Sequence, residues 1–354
     1  MTILLLVLRR LGDVLLATPL LRSLRRAYPE ATIDAMVYSG QEGMLEGNPD
    51  CNAVIAVDPY PGRVGYLRLL RGRLRRYDLA LTTQANDRSH GYALLFGKRR
   101  VGLVPDPGWA SAWKRASCSA HAVLDDVNTH TVVQNLVLAD LLGIKRCYEV
   151  VPPEKKTPQK LPSEPYVVLH PYPKFNYKQW TAEGWKTLIG WLRSKGLRVV
   201  LSGGPDRDEK AYNASLVPGG EALDLTGKLP LGALAALYRG ARLYVGTDTS
   251  TTHLAAACGV STLALYGPTN PVKWGPWPAS HEPGGAASPY KKLARPWQRA
   301  GNVILLQGVQ PLDLGRCLPC RLEGCERHVR SFSRCLTEMP LDPVTAAADA
   351  LLRS

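Results

Sequence analysis

The sequence predicts an α/β protein of two Rossmann-like domains facing across a cleft. Three observations carry that expectation. Short apolar runs alternate with amphipathic segments through residues 1–150, a proline-rich stretch interrupts them at 151–165, and the alternation then restarts. Strand–helix alternation builds a parallel sheet with helices on both faces. At 354 residues the chain also exceeds what one hydrophobic core usually serves.

In the first domain, 1–150, the continuous apolar run at 3–8 reads as a buried strand. Residues 14–28 read as a helix, because Leu15, Leu16, Leu20, Leu21 and Leu24 recur at helical spacing. Strands are expected at 32–37, 53–57 and 78–82. Helices are expected at 64–76 and at 130–142, the latter closed by Gly143. Five prolines in 151–165 can extend neither element, so this stretch reads as a linker. The second domain, 166–338, offers strands at 166–170, 198–202, 222–225, 243–245 and 261–266. Helices fit at 181–195, 207–216, 231–239 and 251–258, and a C-terminal helix over 339–354. Residues 275–301 form a Pro/Gly-rich connection, either a mobile lid or a disordered loop.

Composition narrows the function. An apolar share of 45% and a charged share of 21% are those of a soluble globular protein. The run at 3–8 is too short for a signal peptide or a membrane span, which points to the cytoplasm. A net charge of +14 implies an anionic partner: nucleic acid, an anionic membrane surface or a phosphorylated substrate. No helix-turn-helix, zinc-finger or RNP pattern accompanies that charge, which argues against nucleic acid. No G-x-G-x-x-G opens either half, which argues against a nicotinamide dehydrogenase.

The densest chemistry lies in Val245-Gly-Thr-Asp-Thr-Ser-Thr-Thr-His253, a strand end turning into a helix. Asp248 can cap that helix, and the hydroxyls of Thr249, Ser250, Thr251 and Thr252 crowd its first turn, with His253 one turn in. A helix start offers unpaired N–H groups and partial positive charge, which suits a phosphate. Asp13, at the end of the first strand, reads as an N-cap. Lys178 follows the first strand of the second domain.

Four segments in order now resemble one family. They are Leu8-Arg-Arg-Leu-Gly-Asp-Val-Leu-Leu-Ala-Thr-Pro19, His130-Thr-Val-Val-Gln-Asn-Leu136, Lys178-Gln-Trp180 and Asp248-Thr-Ser-Thr-Thr-His253. Together they are similar to the motifs of family 9 glycosyltransferases, the ADP-heptose:lipopolysaccharide heptosyltransferases, and within them to the heptosyltransferase III type. The resemblance implies a GT-B fold and inverting transfer of a heptose from ADP-heptose to the lipopolysaccharide inner core, without a catalytic metal. It implies Asp13 as the general base, beside Gly12, whose bare backbone admits the acceptor sugar. It implies Lys178, helped by Lys174, at the leaving diphosphate, with Asp208, Asp248, Thr249, Ser250 and His253 lining the donor site. This chain departs from the family at Ser250, often Gly there, and at Tyr172-Pro173, where Thr or Ser is common. The acceptor being membrane-anchored, the resemblance places the enzyme at the inner face of the inner membrane. Other nucleotide-sugar donors, or a non-catalytic binder of anionic lipid or nucleic acid, are the alternative readings.

Asp206-Arg-Asp208 looks like a metal-binding acidic pair, yet it opens a helix, where the dipole favours acids in any case. Arg63, Arg68 and Arg71, with Lys98-Arg-Arg100, lie in the half that the resemblance assigns to the acceptor. Their guanidinium forks suit its phosphates and carboxylates. Eight cysteines are too few for a disulfide scaffold. Four of them, Cys317, Cys320, Cys325 and Cys335, offer either a structural zinc site or reduced or bridged thiols packing a loop. The sequence shows no apolar anchor, so membrane contact is expected to rest on charge alone.

Overall fold

The structure, a computed structural model, describes residues 1–154, 162–311, 313, 315 and 317–353. It divides into two compact units, Met1–Pro153 and Glu154–Ser354. The middle of the expected linker, 155–161, lies outside the described residues.

Unit 1 runs β1 (Thr2–Val7), α1 (Leu11–Leu16), α2 (Thr18–Ala27), β2 (Thr32–Tyr38), β3 (Ala53–Val57), α3 (Arg63–Leu70), β4 (Tyr77–Thr82), α4 (Asp87–Phe96), β5 (Gly97–Val104), α5 (Trp109–Ser117), β6 (Ala120–Val123) and α6 (Thr131–Leu141). Its six strands are all parallel, in the order β3-β2-β1-β4-β5-β6. That order reverses between β1 and β4, so the loops leaving their carboxyl ends diverge and open a crevice. On one face Leu4, Leu6 and Ala80 pack with Leu69 of α3 and with Tyr92, Ala93 and Phe96 of α4.

Two expectations fail locally here. The helix expected over 14–28 is two helices, because Pro19 can sit only in a first turn, and Ala17 ends α1 while capping α2. The helix expected over 64–76 stops at Leu70, with Arg71 extended and Gly72 at φ +73°. The segments α4 through β6 had no counterpart in the sequence reading. Lys98-Arg-Arg100 lies on the polar leading end of β5, whose apolar half follows it.

Unit 2 repeats the plan: β7 (Tyr166–His170), α7 (Ala182–Ser194), β8 (Arg198–Leu201), α8 (Arg207–Leu216), β9 (Leu223–Asp224), α9 (Leu231–Arg239), β10 (Leu243–Thr247), α10 (Ser250–Ala257), β11 (Thr262–Tyr266), α11 (Pro271–Trp274), β12 (Gln298–Ala300), β13 (Val303–Gln307), α12 (Arg334–Thr337) and α13 (Leu341–Leu352). The strand order is β12-β13-β11-β10-β7-β8-β9, parallel except for the edge strand β12. Again the order reverses beside the first strand, here between β7 and β10. Trp180 and Trp185 meet edge to face, ring centres 5.1 Å apart. They share a core with Leu336 and with Val344 and Leu351 of α13.

The connection 275–301 is packed rather than disordered. Trp277 and Tyr290 are buried in it, Tyr290 donates to the Pro276 carbonyl at 2.5 Å, and its end forms β12.

Candidate functional site

In unit 1 the chemistry gathers where β1 hands over to α1. Asp13 is not the N-cap; Arg10 is, and Asp13 sits three residues into the helix. From there one carboxylate oxygen reaches back to accept the Arg10 N–H at 3.3 Å. The other, Oδ1, lies 3.6 Å from the Arg9 guanidinium and has no hydrogen-bond partner among the described residues. Burial raises the Asp13 pKa above its ordinary value, while Arg9 and the Arg10 N–H pull it back. The result is an anchored carboxyl group at the switch point of its sheet, its second oxygen buried beside Arg9 without a hydrogen bond among the described residues. Gly12 precedes it in the same turn and adds no side chain there.

The second motif proves to be a brace for this turn. His130 caps α6, its Nδ1 accepting the Val132 N–H at 3.1 Å. Asn135, buried on α6, donates to the Leu16 carbonyl at 3.1 Å and so satisfies an end of α1 that lacks a helical partner. Arg63, Arg68 and Arg71 are spread along α3. A helix that follows a strand runs back along the sheet, so Arg63 opens α3 at the strands' carboxyl edge. Arg71, just past its end, is about 12 Å further along at 1.5 Å per residue.

In unit 2 the site forms at the ends of β7, β10 and β11. Lys178, in a 3-10 turn (Asn176–Lys178), places Nζ 2.5 Å from Asp248 Oδ2. Thr269, in the loop after β11, donates its hydroxyl to the same oxygen at 2.6 Å. Asp248 therefore does not cap α10. Thr249 holds that position and makes no side-chain cap. In the first turn of α10 the Thr252 and His253 N–H groups bond to the Thr249 carbonyl at 3.2 and 3.4 Å, so the N–H groups that a phosphate could meet are those of Ser250 and Thr251. Burial would push the Asp248 pKa up, but the Lys178 charge, hydrogen bonds from Lys178 and Thr269, and His253 hold it below the usual value. Burial brings His253 down to about 4, so its imidazole is neutral at pH 7, with Nδ1 unpartnered among the described residues. Thr249 and Ser250 are half-buried at the same turn, and Lys174 is exposed, its ammonium 6.0 Å from the Phe175 ring centre.

Asp208 stands in solvent near the start of α8, and Asp206 caps that helix by accepting the Asp208 N–H at 2.9 Å. The acidic residue turned inward is its neighbour Glu209, 3.8 Å from His170 Nε2. A Cβ on Gly203 would lie 2.7 Å from Glu209 Oε1, so glycine at 203 is what lets that carboxylate in. Burial raises the Glu209 pKa. The sequence reading missed Glu209 and Thr269. The signals were Gly203-Gly204-Pro205 and Gly267-Pro268, each marking a strand's carboxyl end.

The thiols of Cys317, Cys320, Cys325 and Cys335 are all free. Burial pushes Cys335 up to about 12, with Cys320, Cys317 and Cys325 adding to it. Cys317 accepts from Gln310 Nε2 at 3.3 Å and Cys325 from the Arg334 N–H at 3.4 Å. Among the described residues no three His, Cys, Asp or Glu side chains are arranged to hold a metal ion.

Residues 70–298 match the family model described as glycosyltransferase family 9 (heptosyltransferase). The chain is 28% identical over 297 residues to lipopolysaccharide heptosyltransferase 3 of Escherichia coli K12, covering 75% of this chain and 82% of that one. The solved structure of E. coli ADP-heptose lps heptosyltransferase II superposes with a TM-score of 0.74 at 20% identity, over 100% and 99% of the two chains. That of E. coli heptosyltransferase WaaC with ADP-2-deoxy-2-fluoro heptose gives 0.66 at 20%, over 91% and 97%. The fold is GT-B.

Proposed function

The chain belongs to glycosyltransferase family 9, and on that premise we propose that it moves a heptose, with inversion, from ADP-heptose to the inner core of lipopolysaccharide. The observation that carries the reading is Asp13: a buried carboxyl with one oxygen tethered, the other without a hydrogen bond, and a raised pKa. A base of that kind is better matched to a sugar hydroxyl than an ordinary carboxylate. Oδ1 takes the proton of the acceptor hydroxyl as its oxygen attacks the anomeric carbon. The bond from that carbon to the phosphate oxygen breaks, and ADP leaves with the electron pair.

Unit 2 supplies the donor side. Lys178 and ionised Asp248 cancel in charge, and His253 is neutral. The diphosphate is therefore held by the Ser250 and Thr251 N–H groups at the start of α10 and by the ammonium hydrogens of Lys178 not given to Asp248. Glu209 accepts a donor hydroxyl, a role the exposed Asp208 fills less well. No step calls for a metal. A structural zinc on the four cysteines is a separate proposal, checked by metal analysis. About one zinc per chain supports it; metal-free protein of unchanged stability leaves four reduced thiols.

The setting is the cytoplasmic face of an anionic membrane. No helix among the described residues is long and apolar enough to cross a membrane, and the charge of +14 draws the protein to such a surface. Release of labelled ADP on mixing ADP-heptose with truncated core oligosaccharide tests the transfer. Turnover only with another member of a nucleotide-sugar panel would shift the donor. No turnover with any would sink the reading. Lys178→Ala and His253→Ala are each expected to weaken ADP binding by calorimetry; unchanged affinity in both would put the donor site elsewhere.

A further inference from the structure

Among the described residues fifteen large apolar side chains are exposed, and nine of them fall between residues 60 and 113 of unit 1. They concentrate on one layer. The connections β3 to β4, β4 to β5 and β5 to β6 all advance the same way across the sheet. Right-handed crossovers therefore put α3, α4 and α5 on the same face. The shared core of α3 and α4 fits this, as does Trp113 of α5 set edge-on to His90 of α4 at 6.2 Å.

The outer side of that layer is apolar in places where water should be met by polar groups. On α3, Val64 and Leu67 are each 68% exposed, and Leu74 follows in the next turn. That turn is tied to the end of α4 by the Arg75 N–H on the Leu95 carbonyl at 2.9 Å, which sets Leu74 beside exposed Leu94 and Leu95. Trp109, at the start of α5, is 97% exposed. Monomeric proteins seldom leave such a cluster bare.

The charge around it selects the occupant. Between Asp58 and Asp78 there are six arginines and no acidic residue. Arg63, Arg68, Arg71, Arg75 and Arg76 are exposed, and Asp78 is already held by Lys98 at 2.8 Å. A second copy would bring the same arginines against these, like charge on like. Valine and leucine interleaved with arginine along α3, with an exposed tryptophan on the same layer, is instead the pattern of a surface that seats in the headgroup layer of an anionic bilayer.

We propose that the α3–α4–α5 face of unit 1 is a membrane-docking surface, with Val64, Leu67, Leu74 and Trp109 entering the lipid interface and the arginines between 63 and 76 binding lipid phosphates. The proposal rests on the reading that the acceptor is anchored in an anionic membrane. It also replaces the expectation that contact depends on charge alone. The apolar residues escaped notice because, in a sequence, Val64, Leu67 and Leu74 read as the buried stripe of a helix.

The test is co-sedimentation of the full chain with vesicles of phosphatidylglycerol and phosphatidylethanolamine, or of phosphatidylcholine alone, at low and high salt. The wild type should bind the anionic vesicles at least tenfold more tightly, with a salt-resistant remainder. Leu67→Glu with Trp109→Ser should bind at least tenfold more weakly and lose that remainder, with its melting temperature unchanged because both positions are exposed. Turnover on delipidated, soluble core oligosaccharide should be the same in variant and wild type. Equal vesicle binding by the variant overturns the proposal. So does a wild-type dimer in gel filtration that the variant converts to monomer, which would make the face a protein contact. Failure of the wild type to turn over the soluble acceptor sinks the transferase reading instead and leaves the vesicle result standing.

Discussion

Lys178 and Asp248 form a close ion pair, Nζ to Oδ2 at 2.5 Å, joining the turn after β7 to the end of β10. Both are mostly buried, their side chains 18% and 7% exposed. Removing one partner leaves the other charge in a dry site. Lys178→Met is therefore expected to destabilise the protein by about 3 kcal/mol, the scale for breaking a buried pair. Adding Asp248→Asn should restore most of that loss while leaving ADP binding weak. Urea denaturation of the single and double variants checks this. Additive losses would mean that the two side chains are not coupled.

Asp13→Asn keeps the shape of the side chain but cannot take a proton. Turnover should fall by roughly 10²–10⁴, the range for losing a general base, with ADP affinity unchanged. Stability should move the other way. The pKa of Asp13 is raised by folding, so its protonated form is the one the fold favours. Stability from this group is present at low pH and lost as pH rises through the folded pKa. The Asn variant should melt higher than wild type at pH 8, and the gap should close toward pH 4. A variant that is both active within threefold and less stable at pH 8 contradicts the assignment.

Much of this was legible in the chain. Strands such as 166–170 and helices such as 207–216 declare themselves by local pattern. Asp13, Lys178 and Asp248 stand out because each follows a strand. What the chain hid has physical causes. The region 87–123 mixes charge into β5 and leaves apolar residues outside on α4 and α5, so period and burial disagree. Glu209 and Asp208 are adjacent acids that differ only in the helix face they occupy. Thr269 is unremarkable until β11 sets it beside Asp248, 21 positions back in sequence.

Asn135 should matter for turnover although it lies on α6, away from the reacting groups. Its amide donates to the Leu16 carbonyl at the end of α1, the helix that carries Asp13. Asn135→Leu leaves that carbonyl unpaired in a buried setting, at an expected cost of about 1–3 kcal/mol. The orientation of Asp13 should loosen with it. The pattern to look for is a lower kcat with KM for the donor unchanged, and partial recovery in Asn135→Gln. A loss of stability with wild-type kcat would confine Asn135 to a packing role.

Acid should weaken unit 2 through two imidazoles. Burial holds both His170 and His253 down to about 4, against an ordinary 6.5. An unfolded chain takes up these protons at a higher pH than the folded one does. Their contribution is therefore intact above pH 6.5, erodes as pH falls toward 4, and is constant below that. Each imidazole adds a slope of up to about 1.4 kcal/mol per pH unit in that window. Glu209 opposes it in part, since burial raises its pKa and protonation favours its folded form. The measurement is the urea midpoint at pH 7.5, 5.5 and 4.5, for wild type and for His253→Gln. The variant should show a shallower decline than wild type between pH 6.5 and 4.5, whatever its stability at pH 7.5. Parallel declines would mean that His253 is solvated enough to titrate normally, and the neutral imidazole would have to be struck from the account of the donor site.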